Sequence, residues 1–392
     1  MTKPDSRLLA DGTRIALALS GGGARAMAFH LGTLRALHRA GLLKRVSTIS
    51  AVSGGSVLAA LYCSYPGDFL AFEVKAHEVL ARGFAKPALL KAFTTLEGLR
   101  AVGNVLPIAL DRLAAFAVRN TLARLASHRA GRVSWLAESA IRRRASRTTI
   151  LRRVFSDLFE GRLLTQFRPD RPKLIVVACE LRHRSAFYFA ADGIGSWRLG
   201  TADPGRIEIA QAVAASAAYP GLLPALDEVM TFTKGGRTYD SRVILTDGGV
   251  YDNLGLAPLW PDRDPGISLH VESYDLVIAS QAGYALRESA SPSLWPSRML
   301  AVVDTLHART QNLAVNRAFD LQRAGRLRFI LPYLDQKDEA LACRPAALVT
   351  RDQVTDYPTD FAAMSDEMIG LLSKRGEQVM EALLDEHLAG IR

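Results

Sequence analysis

Val46-Ser47-Thr48-Ile49-Ser50-Ala51-Val52-Ser53-Gly54-Gly55-Ser56 begins as a β-rich run and ends on a serine among small residues. Residues 46–52 read as a strand, and Ser56 to Tyr65 as a buried helix. A serine at such a strand-to-helix turn has the form of a nucleophile elbow, G-x-S-x-G. Neighbours without bulk let the turn be sharp, and the hydroxyl then stands over the N-terminus of the next helix, which favours developing negative charge. Ala51 takes the place of the first glycine, while Gly55 keeps the last. Alanine is the next smallest side chain, so the turn survives. Taken alone, the stretch also suits a plain Ser-Gly-Gly loop.

Upstream, Ile15 to Ser20 is a short apolar strand that stops at Gly21-Gly22-Gly23-Ala24-Arg25. Helical spacing follows, with Met27, Leu31, Leu34, Leu37 and Leu42 on one side. The order strand, glycine loop, helix, strand, turn, helix implies a parallel pair with a crossover. A glycine loop in this position offers backbone N–H groups to an anion, either a nucleotide phosphate or an oxyanion. Dinucleotide binding needs an acid about twenty residues on, and a phosphate-binding P-loop needs G-K-[ST]. Residues 40–50 hold no Asp or Glu, and no G-K-[ST] follows. The loop therefore reads as an oxyanion hole, Gly21, Gly22 and Gly23, with Arg25 orienting it or meeting a phosphate head group.

Downstream, residues 173–178 read as a strand with 187–190 as its hairpin partner. Residues 209–218 read as a helix ending at Tyr219-Pro220-Gly221, and 276–279 as a further strand. Residues 243–246 form a strand that stops at Asp247-Gly248-Gly249. A carboxylate at a strand end, followed by glycines, can approach a serine hydroxyl closely enough to act as its base. An aspartate bonding its own turn is the plainer alternative. Strands alternating with helices imply an α/β layered fold, one domain over 1–392. Within it, 66–147 reads as a helical insertion or cap, and 297–392 as a C-terminal helical region with long helices at about 297–319 and 359–389. No internal repeat is visible.

Taken together, SGGGAR at 20–25, AVSGGS at 51–56, AASAAYPGLLPAL at 214–226 and DGGVYDNLG at 247–255 resemble the patatin-like phospholipase family, over about 14–65 and 148–283. The resemblance implies a three-layer α/β/α fold with a mainly parallel central sheet. It implies a Ser–Asp dyad, with Ser53 as nucleophile and Asp247 as base. It maps the oxyanion loop to Gly21, Gly22, Gly23 and Arg25, supported at the elbow and dyad by Gly54, Gly55, Gly248 and Gly249. Two positions depart from the family pattern: Ala51, and Ala26 where glycine commonly follows the arginine. The expected function is a lipid acyl hydrolase of phospholipase A or lysophospholipase type, a serine esterase whose substrate is a membrane phospholipid or lysophospholipid. The alternatives are a regulatory, non-catalytic lipid-binding protein and a phospholipase effector silent until a ligand binds. No metal and no cofactor are expected, because Asp247 can serve as base without one. His270, His307 and His387 follow the serine and by order alone fit a conventional triad, but none has a loop context that singles it out. His30 and His38 fall on the first helix, in packed or surface roles.

The chain has 392 residues, 49% apolar, enough for a sizeable core and too many for global disorder. Its net charge of +10 is uneven. Residues 66–165 hold 17 Lys+Arg against 8 Asp+Glu, and the other 292 residues hold 32 against 31. Arg142, Arg143, Arg144 and Arg147 precede the apolar helical stripe Ile150–Phe159. They are the expected contact with an anionic membrane surface; the plainer alternative is a core helix with a solvated basic side. No nucleic-acid partner is expected, since no recognised module and little aromatic interleaving are present. Cys63, Cys179 and Cys343 lie far apart, without metal-ligand spacing, and read as reduced thiols. The N-terminus lacks a signal-peptide apolar region and no segment reads as a membrane span. The expected location is the cytoplasm, peripheral on the inner face of the membrane.

Overall fold

The computed structural model describes residues 13–95, 146–220, 222–283, 295–341, 345 and 347–387. Strand β1 (Ile15–Leu19) is buried at all five positions. Ile15, Leu17 and Leu19 enter one core, while Ala16 enters another together with Ala18. A strand covered on both faces reads as an unbroken apolar run, as in a parallel sheet between helical layers. Helix α1 (Gly23–Arg39) leads from it to β2 (Val46–Val52), which pairs parallel with β1 and passes directly into α2 (Ser53–Ser64).

Helices α3 (Phe69–Arg82) and α4 (Ala85–Thr94) come next. Phe69, Phe72, Ala76, Val79 and Leu80 of α3 are buried in the main core, so the first part of the expected insertion belongs to the helical layer. Residues 96–145 of it, with Arg142, Arg143 and Arg144, lie outside the described residues. Helix α5 (Arg147–Leu158) starts at a reciprocal cap: the Thr149 N–H donates to the Ser146 hydroxyl, and the Ser146 N–H to the Thr149 hydroxyl. Ile150, Leu151, Val154 and Phe155 are buried, and Arg152 pairs with Glu228. This is a core helix with a basic outer side.

Strands β3 (Lys173–Glu180), β4 (Ser185–Ala190), β5 (Gly193–Ser196) and β6 (Gly200–Ala202) follow, then α6 (Ile209–Ser216), β7 (Leu226–Lys234), β8 (Arg237–Asp247) and the short α7 (Gly249–Asp252). The chain ends with β9 (Leu276–Ser280), α8 (Trp295–Arg323), β10 (Arg328–Ile330) and α9 (Asp366–His387). The sheet runs β10-β9-β1-β2-β3-β4-β5-β6-β7-β8, and β8 returns to pair with β3. Strands β10, β9, β1, β2 and β3 are mutually parallel. From β3 onward every pairing is antiparallel. The expected mainly parallel sheet is thus a mixed one, whose second half closes on itself. The physical reason is connection length: β3 to β6, and β7 to β8, are joined by turns of a few residues, and a parallel crossover needs a dozen or more.

Helices cover both faces. Phe29 and Leu34 of α1 and Leu372 and Val379 of α9 pack in the core with Leu17; Ala318 and Leu321 of α8 pack with Trp260, Val277 and Phe329 in the other. The two helices α1 and α9 touch backbone to backbone. A Cβ at Gly376 would lie 2.0 Å from the Phe29 carbonyl oxygen, and one at Gly32 1.8 Å from that of Ser373. Arg375 is fully buried and donates to Asp338 and to the Val349 and Gln336 carbonyls, which pins these three residues onto α9. No described helix is long and apolar enough to cross a membrane.

Candidate active site

The closed half of the sheet brings two distant strand ends together. Val52, the last residue of β2, pairs with Val177 of β3, and on the other side of β3 Asp247 pairs with Ala178. Ser53 follows at φ +49°, in the left-handed region that costs a non-glycine residue about 1–3 kcal/mol. Ala51 sits fully buried in the strand, paired with Leu19 and Val176, and its methyl is accommodated. Ala26 is likewise fully buried in α1.

A strap after α6 holds both ends. The Ser53 N–H donates to the Ser216 hydroxyl at 2.8 Å, and that hydroxyl donates to the Val177 carbonyl at 2.7 Å. The Ser216 carbonyl accepts from the Gly248 N–H at 3.2 Å, and the Ala218 carbonyl from the Asp247 N–H at 3.0 Å. Ser216 was not singled out from the sequence; its signal lay inside the AASAAYPG stretch, where a serine among alanines carries no chemistry of its own.

Asp247 is 3% exposed, accepts the Gly249 N–H at 2.7 Å and has the Ser53 hydroxyl beside its carboxylate. Burial pushes its carboxyl up to about 6, against the opposing pull of the Gly249 N–H and the Ser53 hydroxyl. The group is therefore mostly ionised at pH 7 and basic enough to take a proton. Small neighbours make room. A Cβ at Gly54 would lie 2.2 Å from the Gly23 carbonyl oxygen, at Gly55 2.6 Å from that of Leu19, at Gly248 2.2 Å from that of Val177, and at Gly249 3.0 Å from Asp247 Oδ1.

The glycine loop lies against this elbow, and only part of it is open to a ligand. Gly21 donates its N–H to the Asn253 carbonyl at 3.1 Å, and Ala24 to the Asp360 carbonyl at 2.7 Å. The amides of Gly22 and Gly23 have no acceptor among the described residues, and both residues line the cavity with Ser53. Of the three glycines expected to serve an oxyanion, only these two have amides open to a ligand among the described residues, because Gly21 is engaged in folding the loop. Of the two roles expected for Arg25, its contacts fit the loop-orienting one. Its buried guanidinium donates to the carbonyls of Ala282, Gly283 and Tyr357, so it ties the loop to its neighbours and is not among the cavity-lining residues. Asn253, also unassigned from the sequence, anchors Gly21 through its backbone and reaches Gln311 with its amide at 3.3 Å.

Above Ser53 and Asp247 opens a cavity of about 1180 Å³ with apolar walls that include Phe84, Leu89, Ile150, Leu151 and Leu223. Arg147 stands exposed on its wall, the one member of the expected basic surface within the described residues. His307 also lines it, buried beside Asp304, with burial lowering its pKa. The Ser53 hydroxyl lies beside the Asp247 carboxylate itself. His270 pairs with Asp192, and His30 is locked between Ser280 and the Ser20 carbonyl, its pKa lowered to about 4 by burial.

The patatin-like phospholipase family model matches residues 17–260, the span that carries the elbow, the glycine loop, the strap and Asp247. The chain belongs to the patatin-like phospholipase family. Human GIVD cytosolic phospholipase A2 superposes with a TM-score of 0.51 at 14% identity, covering 97% of this chain and 60% of that one. Its complex with methyl gamma-linolenyl fluorophosphonate and terbium chloride superposes at 0.52, with 14% identity and coverage of 97% and 59%. VipD from Legionella pneumophila matches at 0.40, with 15% identity over 96% of this chain and 67% of that one. Such identities speak for the fold alone, and the chain spans about 60% of the human enzyme's length. Among curated proteins, none matches the sequence significantly.

Proposed function

We propose that this patatin-like chain is a lipid acyl hydrolase of phospholipase A or lysophospholipase type, working through Ser53 and Asp247. The observation that carries the reading is the Ser53 hydroxyl beside the buried Asp247 carboxylate at the floor of an apolar cavity, next to two amides without acceptors among the described residues. Ser53 Oγ attacks the acyl carbonyl carbon while its proton passes to Asp247. The amides of Gly22 and Gly23 hold the oxyanion of the tetrahedral intermediate. As that intermediate collapses, the ester C–O bond breaks and Asp247 returns the proton to the leaving alkoxide, the glycerol oxygen of the lipid. An acyl-serine remains. Asp247 then takes a proton from water, whose oxygen attacks the acyl carbonyl. The second collapse frees the fatty acid and reprotonates Ser53. Asp247 itself accepts each proton, so the cycle needs no metal.

The apolar walls and the size of the cavity support a long acyl chain over a small soluble ester. The substrate is then a phospholipid or lysophospholipid in a membrane that the protein meets from its surface. The test is two-fold. A fluorophosphonate probe should label Ser53, with loss of fluoride, and fatty acid should be released from phospholipid vesicles by the parent but not by Ser53→Ala. A probe bound elsewhere, or undiminished release by Ser53→Ala, overturns the reading.

A further inference from the structure

Helix α4 buries none of its side chains. Ala85, Ala88, Leu89, Ala92 and Phe93, spaced three and four apart, form the face that lines the Ser53 cavity. Leu89 is 63% exposed, Phe93 66%, and Leu90, outside the cavity lining, 65%. Leu222, 58% exposed, lines the same cavity. A short helix without a buried face gains little from packing, so its apolar side calls for a second surface. Lys86 and Arg147 flank this lip and form no ion pair among the described residues, whereas Lys91 is paired with Asp157 at 2.7 Å.

We propose that Leu89, Leu90, Phe93 and Leu222 are the surface by which the protein docks on a bilayer containing anionic lipid, with Lys86 and Arg147 at head-group level. The inference rests on the lipid-hydrolase reading and names the contact that delivers its substrate. Two features select a bilayer over a protein. The lip is continuous with the apolar wall leading to Ser53, so an acyl chain passes from bilayer hydrocarbon into the cavity without crossing water. A protein seated on it would close the opening through which the substrate must come. The flanking cations complement anionic head groups.

The test uses full-length protein carrying Ser53→Ala, so that the vesicles stay intact, and vesicles of phosphatidylcholine mixed with phosphatidylglycerol. Adding Leu90→Glu should weaken co-sedimentation at least about tenfold, the worth of removing one inserted leucine. Lys86→Gln should weaken it at low salt only. In the active background, hydrolysis of a soluble short-chain ester by Leu90→Glu should be unchanged, which shows the variant is folded. As a milder probe, Leu90→Cys should react rapidly with a polar maleimide in water, and vesicles should protect it.

Equal vesicle binding with and without Leu90→Glu overturns the proposal. So does slow labelling of Leu90→Cys in water, which means that the lip is covered in the free protein. A change of oligomeric state in Leu90→Glu with vesicle binding intact also overturns it, in favour of a second copy. The two readings fail separately. Ester hydrolysis with vesicle binding indifferent to Leu90→Glu sinks the docking surface alone. Vesicle protection of Leu90→Cys in a protein that hydrolyses no ester supports the surface and sinks the hydrolase.

Discussion

Asp247 holds a charge where the fold would prefer none. Its carboxyl titrates near 6 in the native state and at 3.8 when free of the fold. As pH falls below about 6 the base becomes protonated, and kcat/KM should drop about tenfold per pH unit. A flat profile down to pH 4 on a soluble ester speaks against Asp247 as base. The same shift bears on stability. Between about 6 and 3.8 the native state binds more protons than the unfolded one, so stability rises as pH falls through that window. Asp247→Asn does not titrate and keeps the shape. It should be more stable than the parent by up to about 3 kcal/mol above pH 6, and lose the advantage by pH 3.8. Denaturant titrations at several pH values read this directly. Ser216 invites a different substitution. Ser216→Ala takes the acceptor from the buried Ser53 N–H and one donor from the Val177 carbonyl, at about 1–3 kcal/mol of stability. It should lower kcat more than it raises KM, and Ser216→Thr should restore part of the loss. Ser53 and Asp247 could be picked out from the sequence because one follows a strand directly and the other ends one, each before glycines. Ser216 could not, because its role is three hydrogen bonds to residues far along the chain.

Between elements, the glycine loop and the elbow are in backbone contact. Gly54→Ala would place a methyl 2.2 Å from the Gly23 carbonyl and push the Gly22 and Gly23 amides off target. Displacing such a donor typically costs about 10²–10³ in turnover, with substrate-analogue binding much less affected. Equal losses in both would indicate a general distortion of the loop. The strands differed in how well the sequence announced them. β1, β2, β3 and β9 are buried on both faces and spell apolar runs. β7 alternates buried with exposed positions, and the first four residues of β8 are exposed and mostly polar. No apolar run marks them, so residues 226–242 carried no strand signal and the closed half of the sheet went unseen. The sequence places a glycine loop between β1 and α1, where the structure has it, but which of its amides stay open depends on which ones the fold itself consumes. The hydrogen bonds of Gly21 and Arg25 settle that, and both reach partners more than two hundred residues away.

Across the whole molecule, the C-terminal region completes the layers that the family motifs leave open. Arg375 is the device that holds it. Arg375→Ala removes the donor to Asp338 and to two buried carbonyls, and should destabilise the protein by about 3–5 kcal/mol, read by thermal or chemical unfolding. A variant within about 0.5 kcal/mol of the parent, as for an ordinary surface change, would show that α9 is held by its apolar face alone. Nothing in the sequence flagged Arg375, since a buried arginine looks like any other basic residue of a helix until its partners are known. The entire account turns on Ser53 and Asp247 acting as one unit. The most direct test compares turnover of Ser53→Ala, Asp247→Asn and the double variant on one vesicle substrate. Groups that act together are grossly non-additive, so the account predicts that the double variant is no slower than the worse single one. Losses that multiply, or near-parental turnover in Asp247→Asn, would contradict it.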